Sequence, residues 1–277
     1  MNNVIELKGV KKTFRDFWMR PTVEAVKELD LSVGSGEVFG LLGPNGSGKS
    51  TTIKMILGLL APSSGSVTLF GLSPKSVKAR AKLGYLPELS YLHPFLTARE
   101  TLKYYAGLNA LPSKTARQRT AELLRMVKLE DVADRPVAGF SKGMARRVAL
   151  ASSLIGKPEL LVLDEPTSGL DPVSTKEVKL LIKALAKSGM TVLMTSHLLA
   201  DAEDVCDRVA IICDGLLRAE GRRHAELGFQ TADRSRLATR EVEGNRRERP
   251  RDEFDLRMQR QVKSAGKCTP GRFKCRP

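Results

Sequence analysis

Apolar and polar positions alternate from the start of the chain. Val4, Ile5, Leu7 and Val10 are interleaved with Glu6, Lys8 and Gly9, which predicts a strand. After a polar insert containing aromatics, Val23 to Val33 repeats the beat with Ala25, Val26, Leu29 and Leu31. Gly34-Ser35-Gly36 marks a turn, and Glu37 to Leu42 is a short apolar run. Ser50 to Leu60 reads as a helix, closed by the breakers from Ala61 to Gly65. Ser66 to Phe70 and Leu83 to Pro87 read as further strands.

The period then changes. Thr97 to Leu129 is helical in character, with Thr97 and Glu100 spaced as a capping box and Gly107 and Pro112 as breaks. Lys142 to Ile155 predicts another helix, and Glu159 to Leu163 a buried strand. Ser174 to Lys187, Met190 to Met194 and Ala200 to Cys206 continue as helix, strand and helix, and Val209 to Cys213 is the last expected strand. No internal repeat is visible. This order predicts an α/β core with a helical subdomain inserted between Leu86 and about Phe140.

Composition adds limits to this picture. The chain has 277 residues, 42% of them hydrophobic and 28% charged, which is globular in character. No run reaches the roughly 18 apolar residues of a membrane span. The start, MNNVIELKGVKK, lacks the apolar region of a secretory leader, so a cytosolic location is expected. The cysteines Cys206, Cys213, Cys268 and Cys275 form no C-x-x-C pair, as suits a reducing compartment. The net charge is +15. Residues 221–277 hold 16 Lys and Arg against 8 Asp and Glu, a balance of +8, so the excess is chiefly a property of the tail. For that tail three readings stand: disorder, a basic contact surface for membrane or RNA, or a reading frame lost near residue 221.

Candidate chemistry begins at Gly43-Pro44-Asn45-Gly46-Ser47-Gly48-Lys49-Ser50, a complete G-x-x-x-x-G-K-S pattern between a strand and a helix. Backbone N–H groups there converge on phosphate, and the helix N-terminus adds partial positive charge. Lys49 reaches the β- and γ-phosphates and the Ser50 hydroxyl suits Mg²⁺; Thr51 completes the expected nucleotide contacts. ATP and Mg²⁺ are therefore the expected ligands. A second site follows at Leu160-Leu161-Val162-Leu163-Asp164-Glu165, where a buried strand ends in two acids. Asp164 suits Mg²⁺ through its water shell, and Glu165 suits polarising the attacking water. His197 also follows a strand, and from residue type alone it is either structural or a contact to the γ-phosphate or the water.

These residues closely resemble the ATP-binding-cassette ATPases of ABC transporters. The resemblance rests on Phe140-Ser141-Lys142-Gly143-Met144 ahead of LLVLDEPTSGLDP, Leu160 to Pro172, and it runs from about residue 4 to about residue 218. It implies a P-loop NTPase fold with an N-terminal antiparallel β-subdomain, a mixed core sheet and the inserted helices. Residues 1–220 would form the nucleotide-binding domain, its helical part spanning about 88–140 to 155. It also implies that Ser141 and Gly143 contact ATP held by a facing copy, that Ser168 to Asp171 crosses the dimer seam, and that His197 is a switch histidine. Glu88 takes the place usually held by glutamine, near Mg²⁺ and the water, and Phe14 is the candidate for stacking on adenine.

Departures from the pattern sharpen the assignment. Phe140, Lys142 and Met144 replace usual signature residues, as in cassettes serving the second type of bacterial exporter permease. The insert from Asp16 to Pro21 makes Phe17 or Trp18 alternatives to Phe14. The implied partners are a second cassette, identical or paired, and a separate transmembrane permease, with the protein peripheral on the cytoplasmic face of the membrane. The alternative is a soluble cassette ATPase acting on nucleic acid or ribosomes. Its usual members carry two cassettes, or a long coiled-coil insertion for which residues 86–140 leave no room. A module that only senses ATP is a third reading, disfavoured by the joint presence of Lys49, Asp164, Glu165 and His197.

Overall fold

A computed structural model of the chain describes residues 3–18 and 20–222. The expectations made for the tail lie outside the described residues, apart from 221 and 222.

The first layer is antiparallel. Strand β1 (Asn3–Arg15) lies between β2 (Pro21–Gly34) and β4 (Ser64–Leu69). Its register pairs Ile5 with Val33 and Leu69, and Leu7 with Leu31 and Val67, so the apolar beats of three strands share one buried face. The second layer holds β3 (Val38–Leu42), β5 (Leu83–Leu86), β6 (Leu160–Leu163), β7 (Thr191–Ser196), β8 (Arg208–Cys213) and β9 (Leu216–Arg222). The strand order is β4-β1-β2-β9-β8-β3-β7-β6-β5. Pairing from β8 through β5 is parallel, β8 with β9 is antiparallel, and β2 meets β9 at the single pair Glu28–Leu216.

Strands β3, β6 and β7 are buried along their whole length, which explains the apolar runs of β3 and β6 and the absence of charge in β7. Alternate side chains feed two cores. Phe39, Leu41, Leu160, Val162 and Leu193 pack with Ile53 and Ile56 of helix α1 (Lys49–Ile56) and with the antiparallel layer. Val38, Leu42, Leu161, Leu163, Val192 and Met194 face α5 (Lys142–Ser153), α6 (Pro172–Lys187) and α7 (Leu199–Val205). Burying each such side chain contributes about 1.5–3 kcal/mol, so the central strands are the rigid floor of whatever sits at their ends.

Between β5 and β6 run α3 (Ala98–Leu108), α4 (Ser113–Met126) and α5. Thr97 and Glu100 make the reciprocal capping box that their spacing predicts. The break between α3 and α4 falls at residues 109–112, where Ala110 has φ +51; Gly107 stays inside α3. Helix α1 is shorter than the predicted Ser50 to Leu60, and a four-residue α2 (Val77–Arg80) was not expected.

The main difference from expectation is β9. Polar Arg218, Glu220 and Arg222 obscure it, yet Asp214-Gly215 is a strong hairpin signal. Both residues have positive φ, +53 and +74, and Cys213 pairs directly with Leu216. The hairpin tip also fixes the neighbouring loop: Gly215 N–H donates to Ser47 O at 3.1 Å, and Lys27 N–H donates to Gly215 O at 2.8 Å.

Candidate functional site

The loop Gly43–Gly48 leaves β3 at the C-terminal edge of the sheet and enters α1. Gly48 is the N-cap of α1 with φ +108, and a Cβ there would stand 2.5 Å from Ala25 O, so no other residue fits without moving β2. Lys49 is buried. Its Nζ donates to Gly43 O at 2.7 Å and Pro44 O at 3.2 Å, and lies 3.7 Å from Glu165 Oε1. Ser47 is buried, and its hydroxyl meets no hydrogen-bond partner among the described residues.

Around Lys49 opens a cleft of about 400 Å³. Asn45, Gly46, Gly48, Ser50 and Thr51 line it, as do Glu88, Glu165, Ser168 and His197. Topology brings four distant segments to one place: the loops after β3, β5, β6 and β7, all at one edge of the parallel sheet. Val23, Glu24, Ala25 and Lys27 of β2 and the Asp214-Gly215 turn complete the lining. No residue type among these signals chemistry; strand pairing brings them to the cleft.

At the end of β6 the backbone turns sharply. Glu165 has φ +46, a left-handed conformation that is strained for a side chain of its size. A relay from β7 holds it: Glu165 N–H donates to Thr195 Oγ1 at 2.9 Å, and that hydroxyl donates to Asp164 Oδ1 at 2.7 Å. The turn aims the Glu165 carboxylate between two cations or donors. Oε1 faces Lys49, and Oε2 is 2.8 Å from His197 Nδ1, the nitrogen that carries the donated proton against a carboxylate. His197 is thus tied to Glu165 rather than idle at a strand end.

A residue that sequence reasoning missed underlies this arrangement. Arg146 of α5 is 7% exposed and donates to five carbonyls. They belong to Pro87 (2.6 Å) and Glu88 (3.0 Å) after β5, and to Asp164 (2.9 Å), Glu165 (2.9 Å) and Pro166 (3.0 Å) after β6. It also donates to Ser90 Oγ at 3.0 Å. Burial pushes its pKa down to about 10, with Asp164 and Glu88 opposing the shift, so it stays charged at neutral pH. The available signal was a charge on the stripe Gly143, Arg146, Leu150, which otherwise faces inward.

The remaining expected site residues stand elsewhere on the same chain. Ser141 is the N-cap of α5 and accepts from Met144 N–H at 3.2 Å. Gly143 packs directly on Ser174 of α6, leaving no room for a Cβ. Asp171 caps α6, accepting from Val173 and Ser174 N–H at 3.0 Å and from Ser174 Oγ at 2.6 Å. Those bonds, the Ser174 hydroxyl foremost, hold its pKa below the ordinary carboxylate value. None of the three lines the cleft of its own chain. Phe14 is 40% exposed, beneath Lys12 Nζ at 5.4 Å from the ring, and pairs across the strands with the lining residue Val23. Phe17 and Trp18 stack edge to face at the hairpin tip, outside the cleft lining. Among the described residues, no three His, Cys, Asp or Glu converge as a protein-only metal cage. No helix among them is long and apolar enough to cross a membrane.

Comparison with known proteins agrees with this geometry. The profile of the family described as ABC transporter matches residues 26–168. The linearmycin resistance ATP-binding protein of Bacillus subtilis (strain 168) is 43% identical over 79% of this chain and 70% of its own length. The Nod factor export ATP-binding protein I of Burkholderia orbicola (strain AU 1054) is 40% identical over 80% and 71%. Among solved structures, a dimeric ATP-binding cassette in a post-hydrolysis state with ADP and Pi has a TM-score of 0.70 and 29% identity, covering 79% of this chain and 98% of its own.

Proposed function

The chain belongs to the ABC transporter family as an ATP-binding, ATP-hydrolysing subunit, and on that premise we propose that two copies close head to tail over ATP to drive export through a separate permease. The observation that carries this reading is Glu165, held between Lys49 and His197 in the cleft of about 400 Å³, while Ser141 and Gly143 lie outside it.

The chemistry follows from the residues. ATP phosphates take Lys49 Nζ from the Gly43 and Pro44 carbonyls that hold it. Loop N–H groups and the start of α1 then surround the β-phosphate. Glu165 orients a water against the γ-phosphorus and draws off its proton as the new P–O bond forms. The bond from the γ-phosphorus to the bridging oxygen breaks, ADP leaves, and the proton passes to phosphate. His197, bonded to Glu165, keeps that carboxylate aimed. Ser50 and Glu88 line the cleft and Asp164 ends β6 beside it; their hydroxyl and carboxylates are the hard oxygen set that would hold Mg²⁺. When bound, Mg²⁺ supplies neutralising charge to the β- and γ-phosphates.

The N-terminus of α5, with Ser141 and Gly143, approaches the γ-phosphate of the second copy, and Asp171 anchors the loop between them. Phe14, beside Val23, stacks on the adenine. Residues 1–220 work as the cassette, with Gly221 and Arg222 completing β9 against β8. The apolar side chains Leu89, Tyr91 and Phe95, exposed just after Glu88, suit contact with a permease at the cytoplasmic membrane face. Relatives named for resistance and export favour this over the nucleic-acid or ribosome reading.

Equilibrium binding tests the phosphate assignment. Lys49→Ala is expected to weaken ATP binding by about 1.5–3 kcal/mol, roughly 10- to 150-fold, the value of charge-assisted hydrogen bonds. Unchanged ATP affinity in that variant would remove Lys49 from the site.

A further inference from the structure

The loop that follows Glu165 and the helix that follows His197 are tied together by a buried polar link that the hydrolytic chemistry above does not use. Thr167, two residues beyond Glu165, is buried, and its hydroxyl donates to Asp201 Oδ2 at 2.6 Å. Asp201 sits in the first turn of α7, four residues after His197, and is likewise buried. Its other oxygen, Oδ1, meets Lys179 Nζ of α6 at 2.8 Å. Lys179 also holds Asp204 Oδ2 at 2.9 Å and the Ala200 carbonyl at 3.4 Å.

These contacts close a ring. From the Glu165 carboxylate it passes to the His197 ring at 2.8 Å, along the chain to Asp201, through Thr167 Oγ1, and back along two residues to Glu165. Within the ring, Ser196 Oγ and Leu198 exchange hydrogen bonds that stiffen the His197 turn, at 3.0 and 3.1 Å. Lys179 fixes the ring to α6, whose N-cap Asp171 ends the loop beginning at Ser168. One carboxylate therefore braces both the loop leading toward the facing copy and the turn carrying the histidine.

We propose that Asp201, gripped by Thr167 and Lys179, is a positioning residue that sets His197 against Glu165 and so controls the hydrolytic step without touching nucleotide. This inference rests on the hydrolase reading of Glu165. A buried charge with two satisfied partners is retained at a cost that a simple packing role does not require. A misplacement of reacting groups by about 1 Å lowers rates by as much as 100-fold.

The test uses the full chain and steady-state ATP hydrolysis. Thr167→Val keeps shape but removes the donor, Asp201→Asn keeps shape but removes the charge, and Thr167→Ser keeps the hydroxyl. The first two are expected to lower kcat about 10-fold with KM changed less than about twofold, and Thr167→Ser to retain at least about half of the parental kcat. Three results overturn the inference alone: parental kcat in Thr167→Val and Asp201→Asn; equal losses in Thr167→Val and Thr167→Ser; or a loss of ATP binding parallel to kcat, which marks a structural role. Glu165→Gln measured alongside separates the two levels. If the parent shows no turnover, or turnover that Glu165→Gln leaves intact, the hydrolase reading itself fails and takes this inference with it.

Discussion

Glu165→Gln is expected to lower kcat for ATP hydrolysis by at least about 100-fold while ATP still binds, the size of effect general-base catalysis supplies. The amide keeps the shape and can still meet His197, but it cannot take a proton from water. The strained turn at Glu165, φ +46 with its N–H on Thr195, fixes the position of whatever side chain stands there. Binding survives because Lys49, the loop N–H groups and the start of α1 hold the phosphates independently of that carboxylate. Removing the Glu165 charge also frees the Lys49 ammonium, 3.7 Å from it, for phosphate. Phosphate release under saturating ATP, with nucleotide binding measured in parallel, checks both halves. A Glu165→Gln protein turning over at the parental rate would assign the chemistry to another group.

Arg146→Ala is expected to cost about 3–5 kcal/mol of stability, the range for removing one partner from a buried charged network. The guanidinium meets carbonyls from two loops, one after β5 and one after β6, and so ties both to α5. Truncation leaves those carbonyls short of donors and removes the cation beside Asp164 and Glu88. Denaturant unfolding should show the loss as a lower midpoint. Arg146→Lys should fall between, because an ammonium offers three donors where the guanidinium makes six bonds. Hydrolysis should fall in both, since Glu88 and Glu165 are each held by their own carbonyls. A stability change under about 1 kcal/mol in Arg146→Ala would contradict the bridging role.

What the sequence made legible was local chemistry in continuous segments. Gly43 to Ser50 and Leu160 to Glu165 carry their meaning in residue type and spacing, because one turn or one strand end positions the whole group. The alternating fold was legible for the same reason: buried β3 and β6 are continuous runs without charged residues, and β7 carries the apolar centre Val192-Leu193-Met194. What escaped depends on long-range pairing. Arg146 finds partners 18 to 59 residues away, and Thr167 meets Asp201 across 34. Val23, Ala25 and Asp214 reach the cleft only because β2, β9 and β8 lie side by side. Strand β9 was hidden by its polar face, although Asp214-Gly215 announced the turn. The capping role of Asp171 follows from Pro172 at the first turn of α6, a signal that residue spacing contains.

In the proposed assembly two copies share each nucleotide site, Lys49 coming from one and Ser141 with Gly143 from the other. The most direct measurement is the solution mass and bound-nucleotide content of the Glu165→Gln protein with ATP and Mg²⁺. The prediction is a species of twice the 30.4 kDa chain mass with one ATP per chain. Adding Ser141→Arg should return it to monomers that still bind ATP. A Glu165→Gln protein that stays monomeric when saturated with ATP, or a dimer indifferent to Ser141→Arg, would contradict the shared site.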